Sequence, residues 1–184
     1  MAKLSQAAAQ PGAAAAPLSP AQAQPGEAQN LRRLLALLRV TLGVILLVTW
    51  YDNLRKGVYT ADGISGLFDW IFNGTGGGPE FYRALIGGTI LQVPGLFGAF
   101  QLVAELLLGL GLLFGMFTPV AAAGAALFFF NLFLAYFGGD EWIWTYVLLT
   151  VAALVAGLGR SGRAWGIDRL LRNRWGEPST GLLW

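Results

Sequence analysis

The 184-residue chain contains no cysteine and no histidine, and only 12% of its residues are charged. The absence of cysteine excludes disulfides, thiolate metal sites, iron–sulfur clusters and cysteine nucleophiles. The absence of histidine excludes imidazole general bases, histidine-ligated haem and the common zinc and copper sites. A soluble domain carries about twice this charged fraction. With 55% hydrophobic residues and a mean hydropathy of +0.58, the chain is predicted to be a membrane protein.

Residues 1–30 form a low-complexity segment of Ala, Gln, Pro and Gly whose only charges are Lys3 and Glu27. Four prolines interrupt this segment, and it lacks an apolar cluster that would offset the entropy of ordering. A signal peptide needs about 7–15 uninterrupted apolar residues, which this segment does not have. We therefore predict a disordered cytoplasmic tail that is retained in the protein.

Four apolar segments follow, at about 34–51, 93–117, 120–137 and 142–158. A bilayer core requires roughly 20 helical residues, with a range of about 17–25. The last two connections are short, and short connections join antiparallel neighbours. The predicted fold is an all-α membrane domain over residues 31–160, a four-transmembrane-helix up-down bundle.

The positive charges are distributed unequally between the two sides of this predicted bundle. Eight lysines and arginines fall on one side, at Lys3, Arg32, Arg33, Arg160, Arg163, Arg169, Arg172 and Arg174. The other side has Arg55, Lys56 and Arg83. This asymmetry predicts a multi-pass protein of the inner (plasma) membrane with both termini cytoplasmic. The net charge of +2 gives no reason to expect nucleic acid as a partner.

Two segments outside the predicted spans are amphipathic. In the outer loop, 52–92, an apolar stripe at helical spacing predicts a short helix lying on the outer leaflet; its members are Ile64, Leu67, Phe68, Ile71 and Phe72. A second short helix is predicted from Pro79 to about Ile90. Residues 161–184 form a basic amphipathic segment, which we expect on anionic lipid or, alternatively, on a soluble partner.

Arg39 and Glu105 are the ionisable residues within the predicted spans, and each requires an explanation. An ionisable group near the bilayer centre costs at least about 2.5–3.5 kcal/mol on insertion scales. We expect the two side chains to face each other in the bundle as the catalytic pair. The alternative is that Arg39 extends to the interface and Glu105 is protonated.

A second candidate site lies at the outer mouth of the bundle. Asp52 and Lys56 share a helix face at i, i+4 spacing, and with Arg55 and Arg83 they form a candidate substrate-binding set for a small anion. Further candidates for binding a cofactor are Gln101, Asn131 and Trp142. Two other interpretations remain open, an aromatic belt at the membrane interface and hydrogen bonds between neighbouring helices. Because the chain has no residues for a metal or haem, any redox role requires an organic carrier, and the bilayer supplies quinone.

Several short motifs and single residues follow one another along the chain: RVTLG at 39–43, Lys56, Glu105, GMFTP at 115–119, GRSG at 159–162 and IDRLL at 167–171. On these motifs the chain, over about residues 31–172, resembles the DoxX/DoxD family, which includes the small membrane subunit of thiosulfate:quinone oxidoreductase.

The resemblance implies a four-helix membrane subunit of a quinone-linked system that oxidises small sulfur compounds. The functional residues it implies are Arg39, Lys56 and Glu105. Its partners would be membrane lipid and other membrane subunits, or a homo-oligomer. The alternative is a non-catalytic accessory subunit of a larger respiratory or photosynthetic membrane complex.

Overall fold

The computed structural model describes residues 25–176, and all regular elements in this range are helical. The α-helices are α1 (Pro25–Arg55), α2 (Ala61–Asp69), α3 (Glu80–Gly88), α4 (Pro94–Phe114), α5 (Thr118–Tyr136), α6 (Trp144–Leu158) and α7 (Ile167–Trp175). A π-helical turn, Trp70–Gly74, continues α2, and short 3-10 turns precede α4 and α7. The prediction of an all-α chain is confirmed for this range.

The first helix is longer than the sequence predicted. It begins at Pro25, so residues 25–30, which we expected to be disordered, are helical. Proline is accepted in a first helical turn because its missing N–H would have no partner there, and Glu27 complements the positive end of the helix dipole. The rest of the predicted tail, residues 1–24, and residues 177–184 lie outside the described residues.

Four long helices, α1, α4, α5 and α6, share one hydrophobic core. Each contributes to the fully or almost fully buried set Leu42, Leu46, Leu112, Ala121, Ala122, Ala125, Ala126, Phe129, Ala153 and Ala156. Helix α1 packs against α4 and α6, and α5 packs against the same two helices. The alanines of α5 and α6 have small side chains, which allows these two helices to approach closely.

The outer surface of this bundle is apolar. Three of its helices, Gly26–Arg55, Pro94–Phe114 and Thr118–Tyr136, are long and apolar enough to cross a membrane. Helix α6 is equally apolar but has 15 residues. Large apolar side chains are exposed along the bundle, for example Leu96 at 71% and Leu127 at 69%. Such a surface fits a membrane protein, because contact between apolar side chains and lipid is favourable, whereas their exposure to water is not.

The outer loop packs on the bundle of the same chain. Ile64, Phe68 and Ile71 are buried against Ala135 and Tyr136 near the end of α5. The stripe that we predicted to lie on the outer leaflet therefore faces protein instead. Periodicity identifies an apolar face, but it does not distinguish lipid from protein as the environment of that face.

Glycine at position 43 allows α1 and α4 to touch. A Cβ at Gly43 would lie 2.6 Å from the backbone nitrogen of Leu113, and the backbone cannot move aside. Gly66 in α2 has no atom near the corresponding position.

We therefore expect Gly43→Ala to lower the stability of the folded protein by about 1–3 kcal/mol, the usual cost of overpacking. Gly66→Ala, the matched control, should be neutral or raise stability by up to about 1 kcal/mol, because alanine favours helix. Thermal unfolding in detergent measures both. Equal effects of the two substitutions would contradict the close α1–α4 contact.

Candidate functional site

Glu105 lies inside the bundle, on α4, with only 1% of its surface exposed. Its Oε2 accepts a hydrogen bond of 2.7 Å from the hydroxyl of Tyr59. The side-chain amides of Gln101 and Asn53 also interact with the carboxyl group. The other oxygen, Oε1, is buried and has no hydrogen-bond partner within the described range. The site is therefore a buried carboxyl group that accepts a hydrogen bond from one tyrosine and has two side-chain amides beside it.

Tyr59 reaches this carboxyl because the chain turns back after α1. Gly57 adopts a positive φ of 71°, which reverses the chain direction just beyond Arg55. Gly98 of α4 has no side chain, so the carbonyl group of Tyr59 lies directly against it, with its carbon 2.8 Å from where a Cβ would stand. The short loop thus places a phenol from outside the helices into the bundle.

The surroundings hold the phenol in its protonated form. Tyr59 is 7% exposed, and burial together with the hydrogen bond to Glu105 raises the pKa of Tyr59 above its usual range. Trp50 stabilises the same region, because its indole N–H donates a 3.0 Å hydrogen bond to the carbonyl of Leu102. The phenol is therefore held as the hydrogen-bond donor to the carboxyl group, shielded from water.

Arg39 lies in a second polar cluster, near the end of α4. Its side chain is 0% exposed and packs on Gly115, where a Cβ would overlap the guanidinium group. Its Nη2 donates a 3.4 Å hydrogen bond to the carbonyl of Trp165, and its charge interacts with that of Asp168. Nε and Nη1 have no hydrogen-bond partner among residues 25–176.

Asp168 joins α7 to the turn between α4 and α5. Its carboxylate accepts hydrogen bonds from the backbone N–H groups of Phe117, at 2.7 Å, and Thr118, at 2.9 Å. Its own N–H donates to the carbonyl of Gly115 at 2.8 Å. A carboxylate at the first N–H groups of α5 is stabilised by the helix dipole. Asp168 therefore caps α5 from a distant part of the chain.

The backbone around Asp168 is conformationally unusual. Three non-glycine residues, Phe117, Arg160 and Trp165, have φ values of 49°, 47° and 56°. Each such conformation costs of order 1–3 kcal/mol and persists where surrounding contacts determine it. The hydrogen bonds of Asp168 and Arg39 supply such contacts at Phe117 and Trp165.

Arg39 and Glu105 do not face each other, contrary to our expectation. Arg39 contacts Gly115, and Gly115 lies ten residues beyond Glu105 along the chain, about 15 Å of helix. Each residue also has another partner, Trp165 for the arginine and Tyr59 for the glutamate. Arg39 and Glu105 therefore belong to two separate sites and do not form the predicted pair.

The four residues predicted to bind a small anion take part in three separate contacts. Asp52 and Lys56 form the expected i, i+4 salt bridge, which is exposed. The guanidinium of Arg55 lies over the ring of Tyr51, 5.9 Å from its centroid. Arg83 donates two 2.7 Å hydrogen bonds to the carbonyls of residues 77 and 78.

The three predicted cofactor-binding residues are likewise dispersed. Gln101 interacts with Glu105, one turn away on α4. Asn131 accepts a 3.0 Å hydrogen bond from Tyr82, which fixes the outer loop to α5. Trp142 is 73% exposed, in keeping with an interfacial tryptophan.

Two residues that complete these clusters, Tyr59 and Asp168, were not among the predicted site residues. Both stand outside the long helices, and periodicity says nothing about which helix a loop residue meets. One signal was available for Asp168, an acidic residue in the first turn of a basic amphipathic helix. Tyr59 carried no comparable signal.

No group of three or more His, Cys, Asp or Glu residues that could hold a metal ion occurs in the part of the chain that the structure describes. Comparison of the chain with models of protein families, with characterised proteins and with solved structures finds no match. The chemistry must therefore be argued from the two clusters themselves.

We expect Tyr59 and Glu105 to be energetically coupled and Arg39 and Glu105 to be independent. In a double-mutant cycle, Tyr59→Phe with Glu105→Gln should give an interaction energy of about 0.5–3 kcal/mol. The control cycle, Arg39→Met with Glu105→Gln, should be additive within about 0.5 kcal/mol, because the two residues share no partner. Free energies of unfolding in detergent supply both values. Coupling between Arg39 and Glu105, together with additivity between Tyr59 and Glu105, would contradict the structure and support the pair that the sequence predicted.

Tyr82 gives a pH-dependent test of the loop's attachment. Burial raises the pKa of Tyr82 to about 12, so the folded state resists its ionisation. The unfolded chain ionises near the usual value of about 10. The stability that Tyr82 contributes is therefore complete below about pH 10 and falls as the pH rises towards 12.

At pH 8, Tyr82→Phe should lower the free energy of unfolding by about 1 kcal/mol, because Asn131 loses its donor. By pH 11 the difference between the two proteins should be smaller. Unfolding measured at both pH values tests this, and a difference that does not change with pH would show that Tyr82 is not buried.

Proposed function

We propose that this protein is a four-span, DoxX/DoxD-like membrane subunit of a quinone-linked redox system that oxidises small sulfur compounds. The observation that supports this most is the buried pair of Glu105, which lies in a candidate membrane span, and Tyr59, joined by a 2.7 Å hydrogen bond. Ionisable residues inside membrane segments are rare and mark proton or substrate paths. A proton-exchanging role for this pair follows.

The chemistry of quinone suits this pair. A quinone takes up two electrons and two protons to become a quinol, and the electrons come from a small reduced sulfur anion. A chain without cysteine or histidine has no metal or thiolate electron carrier of its own, so this subunit supplies protons and position. The Glu105 carboxyl is the group that would deliver each proton, and the Tyr59 hydroxyl, which donates a hydrogen bond to it, would hold it in position.

An apolar groove on α4, the helix that carries Glu105, supports quinone as the substrate. The groove, of about 430 Å³, lies at the start of α4 and is lined by Val93, Leu96, Phe97 and Phe100, with two residues of the preceding turn. A ring with an isoprenoid tail matches such apolar walls.

The predicted topology belongs to the same proposal. Helix α6, with 15 residues, is about 22 Å long, and the proposal takes it as the fourth span. The unequal distribution of positive residues supports a cytoplasmic position for both termini in this proposal. Three of the motifs that carry the family resemblance, those at 39–43, 115–119 and 167–171, also meet in space, since Arg39, Gly115, Phe117 and Asp168 form one cluster.

The second candidate is a non-catalytic accessory subunit of a larger respiratory or photosynthetic complex. The observation that supports it is the nearly complete burial of the pair: the side chains of Glu105 and Tyr59 are 1% and 7% exposed. A hydrogen bond so thoroughly enclosed also suits a purely structural contact between α4 and the loop that follows α1.

Quinone reduction distinguishes the two candidates. With thiosulfate as donor and a soluble quinone analogue as acceptor, membranes containing the full complex should lose at least about 100-fold in rate on Glu105→Gln, the usual contribution of a general acid or base. Tyr59→Phe should also reduce the rate. The matched control is Asp69→Asn, which changes an exposed carboxylate on α2.

Full activity of Glu105→Gln, with the variant still present in the membrane, would reject the role of this pair and favour the accessory subunit. Stoichiometric copurification with large partners, and no quinone bound to the isolated chain, would point the same way.

A further inference from the structure

A second groove, of about 510 Å³, lies at the opposite end of α4, between that helix and α7. Phe114, Trp165 and Leu170 provide apolar walls, and their side chains are 54%, 66% and 65% exposed. Arg169 and Asn173 line the same groove from α7. An apolar cleft with a guanidinium and an amide at its edge fits a molecule that is apolar at one end and anionic at the other.

The groove is held in shape by the polar cluster behind it. Asp168 fixes the first turn of α7 through three hydrogen bonds to residues 115–118. Arg39, fully buried, donates to the carbonyl of Trp165, which forms part of the groove wall. The residues that line the groove are therefore positioned before any ligand arrives, which lowers the entropic cost of binding.

The apolar wall continues along the lipid-facing side of α4. Val103, Leu107 and Phe114 are spaced by four and seven residues, which places them on one face, and each is more than half exposed. An acyl chain lying on this face would lead into the groove at Phe114. This continuity distinguishes a lipid from a water-soluble ligand.

The charge at this end of the bundle selects the head group. Arg169 lines the groove, and the nearby sequence from 160 to 174 contains four further arginines against one acidic residue, Asp168, whose carboxylate is engaged with α5. Basic residues near a membrane surface attract anionic lipid with about 1 kcal/mol each. A guanidinium beside an amide can also bind a phosphate oxygen directly.

We propose that this groove is a binding site for an anionic phospholipid, with its phosphate on Arg169 and Asn173 and one acyl chain along α4. The site is independent of the proposed redox function. It would attach α7 to the membrane surface at a defined position.

The test compares two variants of equal charge. Arg169→Gln removes the arginine that lines the groove, whereas Arg174→Gln removes an exposed arginine of the same helix that does not line it. The full chain is delipidated in detergent and titrated with phosphatidylglycerol or phosphatidylcholine, and native mass spectrometry measures lipid binding.

We expect the wild type to prefer phosphatidylglycerol and Arg169→Gln to bind it about tenfold more weakly than Arg174→Gln does. This is the effect of losing one charge-assisted hydrogen bond. Equal binding by the two variants would overturn the proposal. It would show that the lipid is attracted by the net positive charge of the helix and not by the groove. A fall in oligomeric mass confined to Arg169→Gln would also overturn it, by assigning the groove to a second copy of the chain.

Discussion

The structure depends on how a mostly apolar bundle accommodates two ionisable side chains. An ionisable group within a membrane span costs at least about 2.5–3.5 kcal/mol, and an unpaired one costs more than a paired one. Arg39 and Glu105 are both almost completely buried. The chain does not pair them with each other. It supplies each with a separate partner from a segment that returns to the bundle.

These returning segments explain much of the architecture. The turn after α1 carries Tyr59 to Glu105, and the segment after α6 carries Trp165 and Asp168 to Arg39. Each segment thereby closes one end of the bundle. The cluster of Arg39 and Asp168 also fixes the position of α7. It therefore determines the shape of the groove beside Arg169.

Helical periodicity and segment length were sufficient to predict the long helices and the i, i+4 pair of Asp52 and Lys56, because these features depend on local spacing. The partners of Arg39 and Glu105 were not predictable in this way. Periodicity within a helix does not determine how far that helix is offset from its neighbours along the bundle. In the structure Arg39 is level with Gly115, at the end of α4, and this offset follows from packing between distant segments. The same limit applies to Ile64 and Phe68, whose apolar face was predictable although its protein environment was not.

The central claim is that Tyr59, and not Arg39, is the partner of Glu105. Isotope-edited infrared spectroscopy tests it directly, with labelled glutamate and the Glu105→Gln spectrum subtracted to isolate the band of this carboxyl group. The account predicts that Tyr59→Phe shifts the Glu105 band and that Arg39→Met leaves it in place. A band that moves with Arg39→Met and not with Tyr59→Phe would contradict the account.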